Sequence, residues 1–135
     1  MSKSEISDLS RINLTDDKDQ IINKIKKAKT DPMSMPKTSL ELEERLEAKN
    51  LIGIYSSLTN STVEKSVESF VGKNFSEFKE KLSDVIVDKI EPISVEIKKL
   101  LNDQTYLNNI LEEGIEKADY LASKKIKSIK EIVGF

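Results

Sequence analysis

Apolar positions recur along most of this chain three and four residues apart, and nowhere do they alternate for long enough to make a strand. Ile21, Ile22, Ile25 and Ala28 give the first such face. Thr15 followed by Asp16 and Asp17 offers an N-cap and two carboxylates beside the positive end of a helix, so helix is predicted from about 16 to 29. Asp31, Pro32 and Pro36 then impose an extended connector, because proline lacks an amide donor and turns the residue before it away from helix. Between Leu40 and Lys49 the charges leave only a narrow apolar stripe, which predicts a short or frayed turn. Leu51, Ile52, Tyr55 and Leu58 predict a firmer helix from about Ala48 to Leu58, ended by Thr59 and Asn60.

Ser61 with Glu64 has the spacing of a capping box, and Val63, Val67, Phe70 and Val71 supply the face of the third helix, with Gly72 as its stop. Asn74 with Glu77 opens a fourth, whose buried face reads Phe75, Phe78, Leu82, Val85, Ile86, Ile90, Ile93, Ile97 and Leu100. Pro92 lies inside that run and predicts a kink near Asp88 or a break. After Asn102 and Asp103 a fifth helix carries Tyr106, Leu107, Ile110, Leu111, Ile115, Ala118, Ala122, Ile126, Ile129 and Val133 on one face. The expected fold is an all-α bundle of about five helices, with residues 1–14 as a leading loop and connector and 15–135 as the helical domain.

Composition agrees with this and narrows the chemistry. The 135 residues are 34% charged and 37% hydrophobic with four Gly and three Pro, a balance suited to solvated helices around an aliphatic core. There is no Cys for a disulfide or thiolate metal site and no His to serve as base or ligand, so no metal site is assigned. No apolar run is long enough to cross a bilayer and no signal-peptide pattern is present, which predicts a cytoplasmic chain without membrane contact. The net charge of −2 argues against indiscriminate nucleic-acid binding, yet lysines cluster at Lys24, Lys26, Lys27 and Lys29 and again at Lys124, Lys125, Lys127 and Lys130. Each group suits phosphate contact, and each also suits a solvated helix face; the first lies where cations meet the negative end of a helix dipole.

Other candidates read as structural. Glu77 with Lys81 and Glu113 with Lys117 are surface pairs at helical spacing. Gly72-Lys73 lacks the upstream glycine and the strand of a phosphate loop, and marks a helix stop. Phe70, Phe75 and Phe78 are spaced to meet in a core, and no aromatic ladder exists on which bases would stack.

The first four residues, MSKS, resemble the end of KMSKS, the signature loop of class I aminoacyl-tRNA synthetases. The segments downstream are more specific. SRINLTDDKDQIINKIKKAKTDP, NLIGIYSSLTN, FVGKNFSEFKEKLSDVIVDKIEPI, DQTYLNNILEEGIEKADYLA and the terminal IVGF resemble, in order and spacing, the region after that loop in bacterial tryptophanyl-tRNA synthetases. The likeness covers essentially the whole chain.

The resemblance implies a C-terminal fragment beginning inside the loop, with the histidine-containing signature and Rossmann catalytic domain lying in a missing N-terminal part. It implies ATP with Mg2+ as the intact enzyme's nucleotide, tRNA(Trp) as a partner, and a homodimer whose contacts lie in the missing half. Lys3 would take the catalytic role of the motif's second lysine, placing an ammonium over the leaving pyrophosphate. Met1, Ser2, Lys3 and Ser4 together would contact ATP. The motif's first lysine is absent, and Glu5 stands where Asp is common in the family. Asn102, Asp103, Gln104, Lys124, Lys125 and Lys127 are the candidates for tRNA contact. The fragment alone is expected to be inactive. The alternative is a stand-alone helical module that binds RNA or docks on another protein.

Overall fold

The computed structural model describes residues 6–134, so the motif residues Met1, Ser2, Lys3 and Ser4, and also Glu5 and Phe135, lie outside the described part. The protein is all-α: the described residues hold five α-helices and no strand. These are α1 Lys18–Lys27, α2 Leu46–Leu58, α3 Val63–Phe70, α4 Phe75–Asn102 and α5 Gln104–Val133, with short 3-10 stretches at Asp8–Ser10 and Ser39–Glu44. The chain divides between Val95 and Glu96 into two compact units.

The first unit holds the core. Ile21 and Ile25 of α1, Leu42, Ala48, Leu51 and Ile52 of the α2 region, Val67 and Phe70 of α3, and Phe75, Phe78, Leu82, Ile86 and Val87 of α4 are all buried. Phe78 stands at the centre of four rings. Its centroid lies 4.9 Å from Phe70 and 6.5 Å from Phe75 in edge-on arrangements, and 5.9 Å from Tyr55, which in turn meets Phe70 edge-on at 5.1 Å. Edge-on contact places the positive rim of one ring on the negative face of the next. The three phenylalanines therefore meet as expected, and Tyr55 joins them.

Two helix starts differ from the predicted ones. Asp17, not Thr15, caps α1: its carboxylate accepts from Gln20 N at 2.9 Å while the Gln20 side chain accepts from Asp17 N at 2.8 Å. At the end of α2, Asn60 takes a left-handed φ of 51° and Ser61 N donates back to Ser56 O at 2.9 Å. This is the 6→1 closure of a Schellman stop. Ser61 is thereby part of the α2 terminus, and Thr62 caps α3 instead, accepting from Lys65 N. Asn74 and Glu77 form the predicted box, with bonds of 3.0 and 2.9 Å. Glu77 is thus drawn away from Lys81, which meets Asp84 at 3.7 Å, whereas the predicted Glu113–Lys117 pair is present, also at 3.7 Å. Gly72 is the stop expected of it, at φ +78°.

Two expectations are corrected on a larger scale. Pro92 does not break the fourth helix, and α4 runs without interruption for 28 residues. Proline deletes one hydrogen bond of the ladder, a local loss, and buried Ile86, Val87 and Ser94 flank it within the same helix. The predicted apolar face of α5 is not core: α5 contains no buried residue, and Ile110, Leu111, Ile115, Ile126, Ile129 and Val133 are all exposed. Amphipathic spacing specifies that a face exists, but a partner is needed to bury it.

The connector is tied down by Arg45. Its guanidinium grips Asp31 with two bonds of 2.9 and 2.7 Å, donates to Ser34 O at 2.8 Å and lies over the Phe75 ring at 5.5 Å. Met35 and Pro36 are consequently buried, and Met35 N donates to Lys73 O beside the Gly72 stop.

Candidate functional site

The motif at residues 1–4 is followed at once by a polar network that joins the chain to α1. Ser7 Oγ accepts from Leu9 N at 3.3 Å and caps the Asp8–Ser10 turn. Asp8 accepts from Arg11 Nε at 3.2 Å, Asn13 Nδ2 at 2.9 Å and Lys24 Nζ at 2.7 Å. Asp16 accepts from Lys24 Nζ at 2.7 Å and from Asn13 N at 2.8 Å. One lysine of α1 thus joins two carboxylates eight residues apart in sequence, and Asn13 bridges the same two.

Burial decides how strong this is. The Lys24 and Asp16 side chains are 5% and 6% exposed, while Asp8 is 57% exposed. Burial alone would pull the Lys24 ammonium down, but its hydrogen bonds to Asp16 and Asp8 outweigh that and hold its pKa above the ordinary lysine value. Bonds from Lys24, then Asn13, bring Asp8 down to about 2. The Lys24–Asp16 contact is a buried pair, in which removing one partner strands the other charge and costs about 3–5 kcal/mol. The Asp8 arm is open to solvent and carries much less.

A cleft of about 400 Å³ opens beside this network between Ser7 and Ser10 on one side and Lys27, Lys29 and Asn50 on the other. Lys29 is paired across it with Glu47 at 2.9 Å, which holds that carboxyl below its usual range. On the far side of α1 a second cleft of about 720 Å³ is lined by Lys18, Lys26, Lys79 and Asp84. There Lys79 Nζ donates to Lys26 O at 3.2 Å and Ala28 O at 2.6 Å, meeting the free carbonyls at the end of α1 while burial lowers its pKa. Of the first lysine cluster, then, Lys24 is buried in an ion network and Lys29 is paired; Lys26 and Lys27 remain exposed.

The candidate tRNA residues fall in two places. Asn102 ends α4. Asp103 caps α5 by accepting from Tyr106 N at 2.9 Å, and Gln104 donates to Leu101 O at 2.9 Å, so both side chains serve the helix junction. Lys124, Lys125 and Lys127 are exposed on α5. At 1.5 Å rise per residue, Gln104 and Lys124 lie roughly 30 Å apart along that helix, so the two groups do not form one patch. Sequence reasoning missed Asp8 and Asn13, whose only signal was polarity in a stretch without periodicity, and read Asp16 only as a carboxylate at the helix start. Among the described residues no three Asp, Glu, His or Cys side chains converge as a metal site.

Comparison with known proteins places the chain in a class. Residues 1–91 match the family described as tRNA synthetases class I (W and Y), and the chain belongs to that family. It is similar to the tryptophan–tRNA ligases of Mesorhizobium japonicum (46% identical over 134 residues), Rickettsia felis (47% over 135) and Agrobacterium fabrum (45% over 135). These alignments take in 99%, 100% and 100% of this chain but 38%, 40% and 38% of the respective relatives. The chain therefore spans well under half the length of the relatives it matches.

Proposed function

We propose that this chain is the C-terminal part of a tryptophan–tRNA ligase, a cytoplasmic enzyme that activates tryptophan with ATP and transfers it to tRNA(Trp). The observation that carries the reading is similarity along the whole chain to ligases of that name, together with MSKS at residues 1–4. In this reading the tryptophan carboxylate attacks the α-phosphate of ATP and pyrophosphate leaves. The Lys3 ammonium stabilises the charge that builds on the leaving group, a gain larger in the transition state than in the ground state. Met1, Ser2 and Ser4 contact the nucleotide beside it. The Rossmann domain that holds ATP and tryptophan is supplied by the N-terminal portion of the longer relatives, and the intact ligase is a homodimer. Mg2+ would arrive with the ATP phosphates; among the described residues no cluster of Asp, Glu, His or Cys side chains forms a ligand set for it. The helical domain faces the anticodon side of the tRNA, with Lys124, Lys125 and Lys127 as phosphate contacts.

The test is amino-acid-dependent ATP–pyrophosphate exchange. A full-length ligase ending in this chain is expected to exchange with tryptophan, and the 135-residue chain alone is expected not to. Lys3→Ala in the full-length protein should slow exchange by about 10²- to 10³-fold, the usual effect of deleting one charge-stabilising donor. Exchange with tyrosine but not tryptophan would overturn the substrate assignment.

A further inference from the structure

We propose that α5 is a self-association surface: its exposed apolar stripe is covered by α5 of a second copy of this chain, lying antiparallel to it. Nothing in this surface depends on the ligase reading above.

The stripe is long and straight. Ile110, Leu121 and Ile132 stand eleven residues apart, and so do Leu111, Ala122 and Val133; all six are exposed. Eleven residues make three turns at about 3.67 residues per turn, close to the 3.6 of a straight α-helix, so these positions keep to one side of α5 for about 35 Å. Apolar residues exposed singly are ordinary, whereas a face sustained over that length marks an interface.

Charge selects the occupant. The half of α5 up to Leu121 carries Glu112, Glu113, Glu116 and Asp119 against Lys117, and the half beyond it carries Lys124, Lys125, Lys127 and Lys130 against Glu131. Among the described residues, the ion pair within α5 is Glu113 with Lys117 at 3.7 Å. A parallel second copy would set like charge beside like along the whole length. An antiparallel copy lays the acidic half of each helix along the basic half of the other, about a two-fold axis near the middle of the helix. The same arrangement fixes the register. Lys125 falls inside the stripe, four residues from both Leu121 and Ile129, and Gly114 holds the matching place eleven residues earlier. A Cβ at Gly114 would meet nothing within 4 Å. With Lys125 of one copy over Gly114 of the other, the missing side chain leaves room for the lysine stem, and Glu113 of that second copy stands beside it to receive the ammonium. Lys124 and Lys125 are then occupied by carboxylates, while Lys127, two residues from Ile129 and so on the opposite side of the helix, stays open to solvent.

Sedimentation velocity of the 135-residue chain tests this. A seam of one helix on one helix is at the small end of interface sizes, so the chain should be mainly dimer at about 200 μM and mainly monomer at about 2 μM. Ile126→Glu, at an exposed position, should be monomeric at both concentrations with unchanged far-ultraviolet circular dichroism. Glu112→Lys with Glu113→Lys, and separately Lys124→Glu with Lys125→Glu, should each be monomeric alone and dimerise when mixed, because each supplies the charge the other has lost. Orientation is read by introducing cysteines into a chain that has none. Leu107→Cys and Ile132→Cys should form a disulfide with each other and neither with itself, since like positions lie about 38 Å apart in the antiparallel pair. A wild-type chain that stays monomeric at about 200 μM overturns the proposal and leaves the stripe to a segment outside this chain. A dimer indifferent to Ile126→Glu places the contact elsewhere, and self-linked cysteines refute the antiparallel pairing. Either failure leaves the ligase reading where pyrophosphate exchange puts it.

Discussion

Replacing Phe78 with alanine separates the true core from the face that only looks like one. Phe78 is fully buried and meets three other rings at 4.9, 5.9 and 6.5 Å. Truncating a buried phenylalanine costs about 3–5 kcal/mol, through lost burial and the cavity left between rings that cannot collapse together. With a urea dependence of at most ~3 kcal/mol per molar for a small domain, the unfolding midpoint should fall by at least about 1 M. The matched control is Ile126→Ala on α5. By spacing alone the two positions are equivalent members of apolar helix faces, yet Ile126 is 53% exposed and alanine is the better helix former. Its effect should stay within about 0.5 kcal/mol. Urea titration of both variants of the 135-residue chain, followed by far-ultraviolet circular dichroism, makes the comparison. Comparable losses from the two would refute the assignment of the core to α1 through α4.

The local chemistry carries two more expected outcomes. The carboxyls of Asp8 (about 2) and Asp31 (lowered mainly by its Arg45 bonds) titrate below the ordinary value of about 4 that they have when unfolded. The stabilisation from the half-buried Asp31 pair is therefore complete above about pH 4 and is lost as pH falls below it, while the exposed Asp8 adds little; the melting temperature should drop as pH falls, with a shallower drop in Asp31→Asn, whose starting stability is lower. Gly72→Ala should cost about 1–2 kcal/mol in thermal unfolding although a Cβ there meets nothing within 4 Å, because the penalty comes from φ +78° and not from crowding.

Much of this architecture is legible in the amino-acid order alone. Helices α2 and α3 fall close to where periodicity puts them, the Asn74–Glu77 box and the Gly72 stop are used as expected, and the phenylalanines converge, because these features depend on groups within a few residues of one another. The caps at Asp17 and Thr62 lie one or two residues from the predicted ones for a physical reason. At α3 the backbone N–H of Ser61 is already bound to Ser56 O, so the cap falls to Thr62; at α1 the Asp17 carboxylate and the Gln20 side chain close a reciprocal box.

The sequence by itself determined the helical class, the family-like motif at its start and the amphipathic faces, since side-chain spacing and backbone chemistry act locally. Only the tertiary structure decided which faces are buried and which lysines are free. α5 has as regular an apolar stripe as α4 but buries none of it, and Lys24, one letter in a basic run, is the buried centre of an ion network. Burial and charge pairing depend on which atoms arrive from distant parts of the chain, and no local pattern records that arrival.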